Sequence, residues 1–386
     1  MRPYLAAVLA AALAVVIPAC GTDGGSHTGR STDNANVAHA AAAMAQISRA
    51  RRVPEFVAPG AAFDAAARLR GKTIFEIPIT SEVPFIAAVE GGMRQAAARV
   101  GARLVVYPNQ GRPEQWAQGI RTAIAERADA ITLLAQDPRL LAPQIAQAKM
   151  AGIPVVVVRT TGEGETCQTD DAGHAYGTAC VPGPFEQAGR LEADWVIVDS
   201  RAKADVLVVT SNDARSTVSL TRGLMDEFHR LCPDCDLRFV DVPIPQWATE
   251  LRGEVQSALV RDPGIDYVIP TYDSMSQYAV PAIKAQGAAS RVGVSTFNGT
   301  PFVLKLLQDG DVVRMDAGED LAWVGWAAMD QAFRTVAGVS AVTSEHTPLR
   351  VFDRGNVVEA GTPPVVDRGY GDAYVAGYER LWGVGG

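Results

Sequence analysis

The chain has 386 residues, 48% hydrophobic and 20% charged, which suffices to bury the cores of two lobes and is too apolar for a disordered protein. Its net charge of −8 argues against nucleic-acid binding, which needs concentrated Lys and Arg. Only the extreme N-terminus approaches the apolarity of a membrane span, so a polytopic membrane protein is excluded.

Residues 1–20 have a basic start at Arg2 and then an apolar run from Leu5 to Ile17. That run is short of the ~20 residues of a permanent span and fits the h-region of a secretory signal. It closes on Ile17-Pro18-Ala19-Cys20-Gly21, which resembles a bacterial lipobox with Cys20 as the acylated residue. A plain signal peptide with an incidental Cys is the other reading, and Pro18 stands where a small residue is usual. Residues 21–70 lack Trp and Tyr and are rich in Gly, Ser, Thr, Asn and Ala, which reads as a flexible tether. Its Ala-rich part, Val37 to Ala50, suits a helix with little to pack. An anchor followed by a leash places the folded body outside the cytoplasmic membrane, touching it only through lipid.

From Gly71 short β-branched runs alternate with amphipathic stretches. Strands are expected at Thr73–Ile79, Arg103–Tyr107, Ala130–Leu134 and Pro154–Val158, with helices near 84–100, 113–127 and 141–151 between them. Val155 to Val158 is apolar throughout, as a parallel strand covered on both faces should be. The pattern pauses over 160–183 and restarts with a helix near 184–199. Strands at Asp205–Thr210, Leu237–Val240, Ile265–Pro270 and Arg291–Thr296 follow, separated by helices near 216–231, 247–260 and 274–287. Repeated βαβ units with right-handed crossovers predict an α/β protein of two tandem, doubly wound parallel-sheet lobes.

Of five cysteines, assigning Cys20 to lipid leaves Cys167, Cys180, Cys232 and Cys235. Among three connectivities the local pairs 167–180 and 232–235 are the economical choice in an oxidising compartment. Cys232-Pro-Asp-Cys235 also matches a redox motif or half a zinc site, yet it ends an expected helix and no second CxxC exists. No metal is predicted. Neither GxGxxG after a first strand nor GxxxxGK[ST] occurs, so no nucleotide cofactor is predicted.

Ligands of open α/β sheets bind beyond the carboxyl ends of the strands. The candidates there are Ser81, Glu82, Phe85, Gln110 and Arg159 in the first lobe, and Asp213, Tyr272, Asp273, Asn298 and Glu319 in the second. Ser, Asp and Asn also favour helix N-caps and turns, but their recurrence at strand ends of both lobes describes a cleft for a small polar molecule. Aromatic faces would stack on a sugar ring while carboxylates and amides take its hydroxyls. Catalysis is not indicated: GxSxG and HExxH are missing, and of five His only His174 lies near the expected cleft. A hydrolase built on two carboxylates such as Asp213 and Asp273 is the catalytic alternative.

The stretch from Gly71 to Pro108, followed by Ala128 to Val158, resembles the solute-binding proteins of ABC importers, specifically the type I periplasmic binding fold of the ribose- and galactose-binding class. Ile265–Met275, Val292–Gly318 and Gly325–Gly338 carry the likeness through the second lobe. The resemblance implies a three-crossover hinge, with one lobe of 71–183 plus about 318–347 and another of 184–317 plus about 348–386. It implies no enzyme but a monomer that closes on a small-molecule ligand and presents it to a membrane ABC permease. A sensory receptor and an extracellular enzyme are the alternatives on this scaffold. The family's aromatic after the first strand falls on Phe85, its Asn-Asp becomes Tyr272-Asp273, and a later Asp becomes Asn298. Its Asp-Arg pair at the fourth strand becomes Arg159-Thr160, which loses the carboxylate. Tyr272 implies a ligand with more apolar surface, Arg159 would suit a carboxylate or phosphate if it points inward, and Trp247 and Trp323 would either add stacking surface or serve the scaffold.

Overall fold

β-branched runs with no polar face pair side by side into two sheets, and the amphipathic segments between them become the covering helices. The computed structural model describes residues 27–384 apart from 166 and 344; Cys20 and the apolar run before it lie outside the described residues. The chain begins with α1 (His27–Ala50) and α2 (Ala65–Leu69). The first lobe continues with β1 (Thr73–Pro78), α3 (Pro84–Val100), β2 (Arg103–Val106), α4 (Pro113–Ala125), β3 (Ala130–Leu134), α5 (Ala142–Met150), β4 (Val155–Gly162) and β5 (Ala179–Gly183). The second contains α6 (Phe185–Ser200), β6 (Asp205–Thr210), α7 (Ser216–Leu231), β7 (Asp236–Asp241), α8 (Arg252–Arg261), β8 (Tyr267–Pro270), α9 (Asp273–Ala285), β9 (Gly293–Asn298), α10 (Pro301–Gln308) and β10 (Val313–Glu319). Then come α11 (Leu321–Val336), β11 (Leu349–Asp353) and α12 (Ala373–Leu381).

The first sheet is parallel in the order β2-β1-β3-β4-β5, and the second runs β11-β10-β9-β8-β6-β7 with β11 antiparallel to β10. The two doubly wound lobes expected from the periodicity are therefore present. The chain crosses between them after β5, after β10 and before β11, the three crossovers of the hinge. Two further crossings were not anticipated. Beyond β11 the chain returns to the first lobe, where Tyr374, Tyr378, Leu381 and Trp382 join its core. The expectation that 348–386 belongs wholly to the second lobe is corrected accordingly, because α12 carries aromatics that pair with those of α11. Trp326 stacks on Trp382 at 5.1 Å and Trp323 on Tyr374 at 4.9 Å.

The second extra crossing is N-terminal. From His27 onward the expected flexible tether is structured: Ala43 and Ile47 of α1 are buried in the second lobe's apolar clusters beside α6 residues. Small alanines permit close approach where composition suggested too little to pack. Residues 51–64 then pass to the first lobe, where Phe56 meets Trp323 and Tyr378 and the Phe63 amide donates to the Leu381 carbonyl at 2.8 Å. Both local disulfides form, Cys167–Cys180 and Cys232–Cys235, with Cα separations of 5.7 and 5.3 Å, within the usual range.

Helices α6 and α7 touch through facing glycines: a Cβ at Gly189 would lie 2.1 Å from the Leu220 carbonyl oxygen, and one at Gly223 the same distance from that of Glu186. Gly253 in α8 has nothing within 4 Å of its missing Cβ. Gly189→Ala should therefore lower stability by about 1–3 kcal/mol through overpacking, while Gly253→Ala should raise it by up to about 1 kcal/mol. Urea unfolding midpoints of the two variants check the contrast.

Candidate functional site

The carboxyl ends of both sheets open onto one interlobe cavity of ≈ 60 Å³. Thr80 after β1, Val83, Phe85 and Ile86 at the start of α3, Ala135 after β3 and Arg159 in β4 come from the first lobe. Phe185, Ser216, Trp247, Tyr272, Ser274 and Asn298 are among those from the second. Proline at the start of α3 and the extended backbone of Val83 before it start that helix at the cleft.

Arg159 is the electrostatic centre. Pairing between β4 and β5 breaks after Val158 and resumes at Gly162, and inside the break Arg159 takes a left-handed φ of 61°. Its guanidinium is buried against the rings of Phe185 at 4.7 Å, Phe85 at 5.5 Å and Phe297 at 5.7 Å. Nη1 lies 2.7 and 2.6 Å from the two Glu319 carboxylate oxygens. The Thr347 hydroxyl donates to the same carboxylate. Burial raises the Glu319 pKa while the Arg159 charge and these hydrogen bonds hold it down.

On the facing side, the Tyr272 hydroxyl lies 2.7 Å from Ser216 Oγ and 2.9 Å from Thr217 Oγ1. Burial pushes its pKa up to about 12, so it stays a neutral donor. Asn298 ends β9 at φ 143°, a left-handed region uncommon for a residue with a side chain, directly before Gly299. Trp247 donates Nε1 to Ser211 Oγ at 2.7 Å, which leaves its ring to the cavity.

Of the ten residues expected from the sequence, Phe85, Arg159, Tyr272 and Asn298 line the cavity. Glu319 stands behind Arg159 as its counter-ion. Asp273 is buried beneath the cleft, accepting from the Thr300 amide at 2.7 Å and from Thr300 Oγ1 at 2.6 Å. Ser81, Glu82, Gln110 and Asp213 are exposed outside the cavity lining. Ser81 Oγ instead accepts from the Asn109 amide at 3.1 Å, the Gln110 amide donates to Gln115 Oε1 at 2.9 Å, and Asp213 accepts from the Ile244 amide at 3.0 Å. Trp247 lines the cavity, while Trp323 is buried in the first lobe's core. Phe185, Ser216 and Ile244 were missed. Phe185 follows β5, a strand hidden in the Gly- and Cys-rich pause, so it was not read as a strand-end residue.

Behind the cavity lies a layer of buried acids: Glu192 on α6, Asp273 on α9, Asp316 on β10 and Asp320 before α11. Asp316 accepts from the Gly299 amide at 3.1 Å, and Asp320 caps α11 by accepting from Ala322 N and Trp323 N at 3.0 and 3.1 Å. Neither Glu192 oxygen has a hydrogen-bond partner among the described residues. Among the described residues no three His, Cys, Asp or Glu side chains are grouped to hold a metal ion. A larger depression of ≈ 950 Å³ runs along α1, α6 and α7 and reaches Gly162 at the end of β4 and Pro184 after β5. Its Arg222 is paired with Glu165 and Glu186, and its Arg230 with Glu227.

Residues 74–339 match the family described as periplasmic binding protein domain. A D-ribose/D-allose-binding protein of Pseudomonas aeruginosa is 23% identical over 200 residues, covering 50% of this chain and 59% of that protein. The chain thus spans less than two thirds of the length of the curated relative it matches. An ABC-transporter solute-binding protein from Agrobacterium vitis, bound with α-D-tagatopyranose, superposes with a TM-score of 0.68 at 20% identity, covering 75% of this chain and 96% of that one. The 5-methylthioribose transporter solute-binding protein of Thermotoga lettingae gives 0.68 at 19% identity, over 81% and 93% of the two chains. These likenesses establish the shared fold. Among the described residues no helix is long and apolar enough to cross a membrane.

The buried acids carry a pH dependence. Burial raises Asp273 to about 6 and Asp320 to about 7, above the ordinary aspartate range, and lifts Glu192 and Asp316 well up, with neighbouring carboxylates adding to both. Each binds its proton more tightly folded than unfolded, so its contribution is full near pH 4 and is lost as pH rises through the folded values. The melting temperature should therefore be higher at pH 5 than at pH 7.5 by about 2 °C or more, with a flatter profile for Asp273→Asn; scanning fluorimetry across that range is the check.

Proposed function

We propose that this chain, a member of the periplasmic binding protein family, is an extracytoplasmic solute-binding protein that captures a small polar ligand, a sugar or polyol, and delivers it to an ABC importer. The observation that carries this reading is the placement of one cavity across the strand ends of two lobes. Each lobe supplies part of the wall, so a bound ligand would bridge the halves and stabilise the closed arrangement. Across the rim, Arg222 Nη2 of α7 donates to Glu165 of the first lobe at 3.0 Å, a contact that opening would have to break.

The sugars named for the two similar solved structures support a hydroxylated ligand class. The site has a neutral Tyr hydroxyl, a neutralised Arg and aromatic faces, which suit binding by stacking and hydrogen bonds without turnover. On this reading the acylated residue is Cys20, which would hold the protein to the outer face of the membrane, and the working unit is a monomer.

A thermal-shift panel of sugars and polyols should contain a compound that at about 100 times its Kd stabilises the protein by about 2.7 kcal/mol. Phe85→Ala and Tyr272→Ala should each weaken that compound by about 1 kcal/mol or more in calorimetry. Silence across the whole panel would remove the proposal; unchanged affinity in both variants would remove the site.

A further inference from the structure

Resting on that binding role, we infer that the ligand is an uncharged sugar-like ring in which a deoxy or alkyl-bearing position replaces at least one hydroxyl. A fully hydroxylated sugar brings several groups that each donate and accept, and every one left unmatched in a closed cavity costs affinity. Carboxylates and carboxamides are the efficient partners, since one planar group serves two neighbouring hydroxyls. Here those groups stand off the cavity lining, each held through at least one atom, although Asp273 Oδ1 and Asp316 Oδ2 find no hydrogen-bond partner among the described residues. Asp273 is held by Thr300, Asp316 by the Gly299 amide and Glu319 by Arg159 and Thr347. Asn109 donates to the Pro78 carbonyl at 2.8 Å and accepts from the Gly111 amide at 2.9 Å. None of these four lines the cavity, and Asn298 is the one carboxyl or carboxamide side chain among the described residues that does.

The rest of the wall is uneven in character. Polar groups cluster on the second lobe, at Ser216, Tyr272, Ser274 and Asn298. The apolar wall is formed by Val83, Phe85 and Ile86 of the first lobe together with Ile244 and Trp247 of the second. A ligand matching both has one hydroxylated edge and one apolar edge. Net charge is disfavoured as well, because the guanidinium of Arg159 already has Glu319 for its counter-ion and phenyl rings around it.

Calorimetry on the full folded chain with matched pairs tests this: D-galactose against D-fucose, L-mannose against L-rhamnose, D-glucose against its methyl β-glycoside, with D-glucuronate as the charged probe. In the pair that binds, the deoxy or methylated member should be about tenfold tighter or more, the range a hydrophobic pocket gives for one methyl-sized difference. An unsubstituted sugar or glucuronate binding as tightly or tighter overturns the inference and leaves the binding role standing. No heat from any pair overturns the inference, while the binding role is judged by the wider thermal-shift panel. Ile244→Asn should cut the preference to about threefold or less, with Val83→Ser as the second variant if the first does not fold. Full preference retained in the folded variant overturns the assignment of the apolar wall.

Discussion

A guanidinium buried between two lobes has to be compensated where it stands, and the Arg159–Glu319 pair does this at the junction that organises the molecule. Arg159 belongs to a strand of the first lobe. Glu319 ends the strand from which the chain crosses back, and Thr347, bonded to the same carboxylate, precedes the next crossover. Charges taken out of water repay their desolvation only with close geometry and further hydrogen bonds, and removing one partner of such a pair typically costs about 3–5 kcal/mol. The broken pairing of β4, the left-handed residue within it and the ring of phenylalanines are the local conditions for that geometry. Because the pair sits at the cavity, it also sets what the cavity offers: donor atoms on a guanidinium whose charge is already matched.

Much of the architecture was legible because parallel strands covered on both faces are apolar from end to end, as in Val155–Val158 and Ala130–Leu134. Three strands escaped notice for the opposite reason. β5 contains Cys, Pro and Gly, β10 carries Arg314, Asp316 and Glu319, and β11 carries Arg350 and Asp353. Their polar residues are satisfied by partners distant in sequence, which no local pattern records. Helix α1 was underrated similarly, since its alanines gain value only from the close surface of α6. In the site, the aromatic and amide residues read at strand ends, Phe85, Tyr272 and Asn298, line the cavity, whereas Asp273 and Glu319 turn inward to Thr300 and Arg159 and Glu82 and Asp213 face outward. Residue type marks a strand end as chemically equipped, but hydrogen-bond competition decides whether it faces the cleft or the scaffold.

The buried acids behind the cleft illustrate that division of labour. Asp273, Asp316 and Asp320 each hold backbone amides of tight connections, Gly299 and Thr300 after β9 and the first turn of α11. These connections place Asn298 and start the helix that carries the first lobe's aromatic core. The acids therefore act on the site through the backbone, and their cost in desolvation is offset by the order they impose on two loops.

The path of the two ends of the described chain gives the molecule an unusual handle. Helix α1 packs on the second lobe and α12 on the first, and among the described residues neither lines the interlobe cavity. Dyes attached at exposed positions such as Val37 on α1 and Ala376 on α12 would ride on opposite halves of the protein. Energy transfer between them would convert the bending of the hinge into an optical signal, making the molecule a template for a reagentless biosensor.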